Sequence, residues 1–145
     1  MMLIQQDRKF LLEIKGYEFD KSTFSEDLNW LNIQIWAHDD FNKWNAKGAF
    51  LRTNELKQLY LWFKGIEDRK NEVDRIDFIE NELSFQYFKD ENRICINLDF
   101  DFHPKKERYV YGKDEEYKLF FDLNFINIKK LIQDLEQLIL KFPER

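Results

Sequence analysis

The fold is decided by residues 83–103, which read LSFQYFKDENRICINLDFDFH. Apolar side chains occupy every second position on both sides of the polar segment 89–92. Successive side chains of a strand point to opposite faces, so each alternating run predicts a half-buried strand. The polar segment between them is typical of a turn, and the pair therefore predicts an antiparallel hairpin. Its second strand is expected to run from Arg93 to His103.

Similar patterns on either side of this hairpin predict the remaining elements. A helix is expected from the N-cap Thr53 to Gly65, and a second one ends before Pro143. Alternating runs predict further strands, at 10–15, 30–36, 44–51, 75–79 and 117–123. The prediction is one α+β domain over residues 1–145, in the order βββ-α-ββββ-α. Its sheet has about six to seven strands and is mostly antiparallel, with the two helices packed on it.

Composition excludes several classes of protein. The chain has 145 residues, a net charge of −5, one cysteine and four glycines. One cysteine allows no internal disulfide, and four scattered glycines build no phosphate-binding loop. A pI near 5.2 argues against binding nucleic acid through its phosphates. No apolar run is long enough for a signal peptide or a membrane span, so we expect a cytoplasmic protein without cofactor or membrane partner.

The negative charge is concentrated between residues 66 and 92, which we call the acidic stretch. It holds nine acidic and four basic residues out of 28 and 23 in the whole chain, which leaves 19 of each elsewhere. Its acids are Glu67, Asp68, Glu72, Asp74, Asp77, Glu80, Glu82, Asp90 and Glu91. Two interpretations stay open: a solvated loop and edge strand whose charges prevent aggregation, or a docking surface for a basic partner.

Three tryptophans also have two interpretations. Trp30 and Trp36 lie opposite Leu31, Ile33 and Ile35 in their predicted strand, and Trp44 is placed on the same face. If both faces of the sheet are covered, these side chains belong to the core. If the outer face is open, they form a patch that would anchor a partner protein.

The predicted strand 93–103 carries the only candidate for metal chemistry. Alternation places Asp99, Asp101 and His103 on one polar face, together with Cys95 and Asn97. Two carboxylates and an imidazole would serve as ligands in a metal-dependent hydrolase or a ligand-binding protein, if a neighbouring strand added others. The same pattern also describes the solvent face of an ordinary strand, with Cys95 as a structural thiol.

The chain resembles a known family, the WapI-type immunity proteins, over nearly its whole length. These are small cytosolic bacterial proteins encoded beside contact-dependent or polymorphic toxins. The similar segments are Phe10–Ile14, Gly16–Phe19, Asp27–Leu31, Leu51–Leu56 with Leu59 and Trp62, Glu80–Phe85, and Lys141–Arg145.

The resemblance implies a protein that is not an enzyme and that binds and blocks a cognate toxin domain, often a nuclease such as one that cleaves tRNA. An acidic protein would suit such a partner, because a nuclease needs a basic surface to hold RNA. Within the acidic stretch and the tryptophans, the residues expected to contact the toxin are Glu67, Asp68, Glu72, Asp74, Asp77, Glu80, Glu82, Trp30 and Trp36. The metal-dependent alternative and a structural module without a partner remain open.

Overall fold

The computed structural model describes residues 1–145 and contains eight strands and two helices. Four strands come first, then a helix, four more strands and a second helix. The elements are β1 Met2–Gln5, β2 Arg8–Tyr17, β3 Trp30–His38, β4 Lys43–Arg52, α1 Thr53–Glu67, β5 Arg75–Asp77, β6 Leu83–Phe88, β7 Arg93–Leu98, β8 Tyr117–Asp122 and α2 Ile128–Lys141.

The strands form two separate antiparallel sheets in simple meander order. The first sheet is β1-β2-β3-β4 and the second is β5-β6-β7-β8. β6 and β7 are the predicted hairpin, with Leu83 opposite Leu98 and Phe88 opposite Arg93. The α+β class is therefore confirmed. The strands number eight in two sheets, rather than six to seven in one, and the additional strand is β1.

The hairpin's second strand is shorter than predicted. β7 ends at Leu98, because Phe100 adopts a left-handed backbone conformation with φ +45°. The Asp99 side chain accepts a hydrogen bond from the Phe100 amide at 2.9 Å and so begins a 3-10 turn over Phe100–Phe102. Strand alternation therefore stops before the polar residues that it was expected to align.

Both helices lie where the sequence placed them, but the ends of α1 differ. Thr53 is its first residue rather than its N-cap, and the Glu55 carboxylate accepts a hydrogen bond from the cap residue Arg52 at 2.9 Å. The other Glu55 oxygen accepts one from the amide of Ile79 at 2.7 Å, which ties the helix start to the acidic stretch. α1 continues two residues past Gly65. Neither helix is long and apolar enough to span a membrane.

One hydrophobic core joins both sheets to both helices. It contains 29 buried residues, and Phe85 of β6 lies at its centre. The Phe85 ring contacts four other aromatic rings at centroid distances of 5.9–6.3 Å, those of Phe10, Trp62, Phe63 and Phe78. Three of the four pairs are edge-to-face and the pair with Trp62 is tilted. Such contacts add to the burial of apolar area, so this cluster fixes the second sheet against β2 and α1.

Candidate functional site

The acidic stretch connects α1 to the second sheet and lies largely on the surface. Asp68, Glu72 and Asp74 are exposed and form no ion pair. Glu67 pairs with Lys64 at 3.3 Å, and Asp77 pairs with Arg75 at 2.8 Å. The unpaired carboxylates are the ones whose field is least neutralised, so they contribute most to attraction of a basic partner.

An apolar groove lies beside these carboxylates, between α1 and residues 70–76. It has a volume of about 420 Å³, and Leu61, Trp62, Val73 and Ile76 supply its apolar walls. Glu72 and Lys70 are the charged residues of its lining. The indole of Trp62 donates a hydrogen bond to the carbonyl of Val73 at 3.0 Å, which holds the loop on the helix. Apolar side chains surrounded by charge are typical of protein-binding surfaces, where the centre is dry and the rim is polar.

Two acids of the acidic stretch, Glu80 and Glu82, are partly or largely buried. Glu82 is only 8% exposed, and its Oε2 atom has no hydrogen-bond partner. Burial raises the pKa of Glu82, and the nearby carboxylates Glu80, Asp101 and Asp99 raise it further. Glu80 is half-buried. Glu82 therefore offers little surface to a partner that docks on the exposed acids.

Trp30 and Trp36 lie on the outer face of the first sheet and are half-buried. The guanidinium of Arg52 lies 5.4 Å from the centre of the Trp30 ring, and the Lys15 ammonium lies 5.3 Å from that of Trp36. Basic side chains of the same sheet therefore cover both rings in part. The placement of Trp44 with them was wrong. β4 aligns Trp44 with Ala37, which puts it on the inner face, where it is 8% exposed.

The structure does not assemble the metal site. Asp99 caps the 3-10 turn, Asp101 is exposed and His103 is buried. His103 packs against Tyr109 and Tyr117, and its Nδ1 accepts a hydrogen bond from the Lys105 amide at 3.1 Å. Burial lowers the pKa of His103. No three His, Cys, Asp or Glu side chains are arranged to hold a metal ion. The prediction that Asp99, Asp101 and His103 share one polar face was wrong, because β7 ends at Leu98.

Cys95 and Asn97 do share the outer face of the second sheet, in a hydrogen-bonded network. The Cys95 thiol donates to Asn97 Oδ1 at 3.2 Å, and Asn97 donates to the Ser84 hydroxyl at 3.1 Å. Arg75 donates to the same hydroxyl at 3.0 Å and forms a two-point ion pair with Glu116. These contacts give Cys95 a structural role in the sheet.

Sequence reasoning missed the segment after β7, residues 99–111. Phe100 was placed within the predicted strand 93–103, yet it is half-buried in a 3-10 turn, with its ring against those of Tyr109 and Tyr111, and Tyr111 is 82% exposed. Strand alternation is absent after Pro104, so Tyr109 and Tyr111 were not expected on either face of a sheet. This absence was the signal in the sequence that could have identified the segment. Exposed rings held in a cluster are candidates for contact with a partner.

An acidic surface next to an apolar groove is typical of a protein-binding domain. The chain belongs to the Immunity protein WapI-like family, whose model matches residues 1–143, and the predicted resemblance is confirmed. Neither a curated protein nor a solved structure matches the chain. Membership of an immunity-protein family is consistent with neutralisation of a cognate toxin by binding, and it suggests an inhibitor rather than an enzyme.

Proposed function

We propose that this chain neutralises a bacterial toxin domain in the cytoplasm by covering the basic surface with which that toxin holds nucleic acid. The toxin is a nuclease that cleaves RNA, with tRNA as the expected substrate. The observation that carries the proposal is the group of exposed, unpaired carboxylates Asp68, Glu72 and Asp74 beside the apolar groove.

The two parts of this surface have different roles in binding. The carboxylates attract a basic domain over long range and raise the association rate, by about 10-fold to 1000-fold where charge is strongly complementary. The groove supplies the apolar contact that slows dissociation, since Leu61 and Val73 are 55% and 58% exposed before binding. A standard interface would bury about 1,600 Å² in total, which is enough to block an RNA-binding surface.

The first experiment measures neutralisation. The toxin used in this experiment is the C-terminal domain of the large secreted protein that we expect to be encoded next to this chain. Cleavage of a tRNA substrate by that domain should stop at one equivalent of the chain, and co-expression should restore growth. A domain that binds the chain and still cleaves RNA at the full rate would contradict the blocking mechanism.

The second experiment measures how charge affects association. The triple variant Asp68→Lys, Glu72→Lys and Asp74→Lys should associate at least about 10-fold more slowly at low salt, and the difference should shrink in 1 M salt, where the screening length falls to about 3 Å.

The matched control reverses three other exposed acids without ion pairs, Asp20, Glu26 and Glu136, and changes the net charge by the same amount. These residues lie outside the acidic stretch, so the control should lose much less of its association rate. Equal losses in the two variants would mean that total charge matters and the acidic stretch does not.

A further inference from the structure

A surface cleft of about 500 Å³ lies in the segment after β7. Its walls are three aromatic rings, two carboxylates and one lysine: Phe100, Tyr109, Tyr111, Asp101, Glu107 and Lys106. The Phe100 ring is stacked on that of Tyr111, with 5.9 Å between centroids and an angle of 25°, and meets Tyr109 edge-on at 5.8 Å. The cleft thus offers aromatic faces and negative charge at the same place.

Two residues that line this cleft have a left-handed backbone conformation. Phe100 and Lys106 adopt φ values of +45° and +54°, a left-handed region that bulky residues rarely enter. Asp99 holds the first of these turns, because its Oδ1 accepts hydrogen bonds from the Phe100 amide at 2.9 Å and from the Tyr109 hydroxyl at 2.7 Å. Non-glycine residues held in this region concentrate at binding and catalytic sites.

The charged groups in the lining of the cleft are two carboxylates and one ammonium group, which give it a net charge of −1. Lys106 is the only basic residue in its lining, and its ammonium group donates a hydrogen bond to the carbonyl of Asn45 on β4. Beside the cleft lies the buried carboxylate of Glu82, whose Oε2 has no hydrogen-bond partner, and the Glu82 carbonyl accepts a hydrogen bond from the Asp99 amide at 2.9 Å. The charged side chains with most influence on the pKa of Glu82 are all acidic.

We infer that this cleft receives an arginine side chain of the toxin domain, stacked on the aromatic rings and paired with Asp101 and Glu107. The inference rests on the proposed function and adds a second contact region outside the acidic stretch. A guanidinium is planar and always charged, so it can stack on a tyrosine or phenylalanine ring while donating hydrogen bonds to carboxylates. The two carboxylates outnumber the one ammonium group of the lining, so the cleft favours a cation over an anionic ligand such as a nucleotide.

The first test uses N-acetyl-arginine methylamide as the probe and follows amide signals of the whole chain by NMR. Saturable shifts should appear at Phe100, Tyr109 and Tyr111, with a dissociation constant in the millimolar range expected for one side chain. N-acetyl-citrulline methylamide is the matched control, because it keeps the shape and loses the charge. Absence of saturable shifts, equal shifts with citrulline, or shifts confined to the acidic stretch would overturn the inference.

The second test uses the toxin domain and two variants of exposed residues, Tyr111→Ala and Asp101→Asn. Each should speed dissociation about 10-fold to 30-fold, as expected for an anchor of the interface. The matched control Phe41→Ala removes a ring that is 86% exposed on a different turn, and it should change dissociation less than 2-fold. Circular dichroism confirms that each variant is folded.

The outcomes separate the two proposals. If the wild-type chain binds and inhibits the toxin while both variants dissociate like wild type, the cleft is not the contact and the proposed function stands. If the wild-type chain does not bind the toxin domain at all, the proposed function fails, and the inference fails with it.

Discussion

Replacing Glu82 by glutamine should make the chain more stable at neutral pH. Glu82 is 8% exposed, its Oε2 has no hydrogen-bond partner, and three other carboxylates raise its pKa together with burial. A buried group that lacks its hydrogen bond costs about 1–3 kcal/mol, and more when it is charged. Because Glu82 is still 8% exposed, we expect the lower end, a gain of about 1 kcal/mol for Glu82→Gln at pH 7.

The gain should depend on pH in a defined direction. In the unfolded chain Glu82 titrates near its ordinary pKa of 4.5, and in the folded chain its pKa is higher. Between these two values the folded state binds more protons, so the wild-type chain loses stability as pH rises through this interval. Near pH 4 both states are largely protonated, and most of the advantage of the variant should disappear.

Urea unfolding followed by tryptophan fluorescence at pH 4 and pH 7 measures both quantities. The matched control is Glu72→Gln, an exposed acid without an ion pair, which should change the free energy of unfolding by less than about 0.5 kcal/mol. A Glu82→Gln variant that is less stable than wild type at pH 7, or that gains equally at both pH values, would refute the reasoning.

Two further predictions concern the second sheet. The ion pair with Arg75 lowers the pKa of Glu116 to about 2. The contribution of this pair to the free energy of unfolding is therefore present above pH 4.5 and is lost as pH falls towards 2. Because the pair is partly exposed, Glu116→Gln should cost only about 1 kcal/mol at pH 7 and nothing near pH 2, as measured by urea unfolding across that range. Phe85→Ala should cost about 3–5 kcal/mol in the same assay, because it opens a cavity among four aromatic rings. Phe41→Ala should cost less than about 0.5 kcal/mol, and similar losses in both variants would contradict the central position of Phe85.

Alternation and helix signals were enough to predict the class and most elements, because each depends on neighbours in the sequence. The β6–β7 hairpin and the two helices follow from such local patterns. β1 was missed because the short apolar run at the start of the chain was considered only as a signal peptide, for which it is too short. The end of β7 was missed because the alternation continues in the sequence as far as His103, whereas the left-handed backbone conformation of Phe100 ends the strand.

The face of Trp44 was available from β4 itself, because Trp44 and Ala46 alternate with the polar Asn45 and Lys47, and grouping Trp44 with Trp30 and Trp36 overlooked that pattern.

Properties that depend on distant partners were not predictable. Counting charges located the acidic stretch but did not separate paired from unpaired acids. Arg75 joins Asp77, two residues away, and also Glu116, 41 residues away, and only the fold brings the second pair together.

The single thiol provides a natural reporter of sheet opening. Cys95 is fully buried, and burial raises its pKa to about 11, so the reactive thiolate is rare at pH 7. A thiol reagent therefore reacts only during the brief intervals when β7 separates from its neighbours. Any ligand that binds only the folded state lengthens the time between such openings. The rate of labelling at this one sulfur thus measures binding of the chain to a partner without any attached dye or tag.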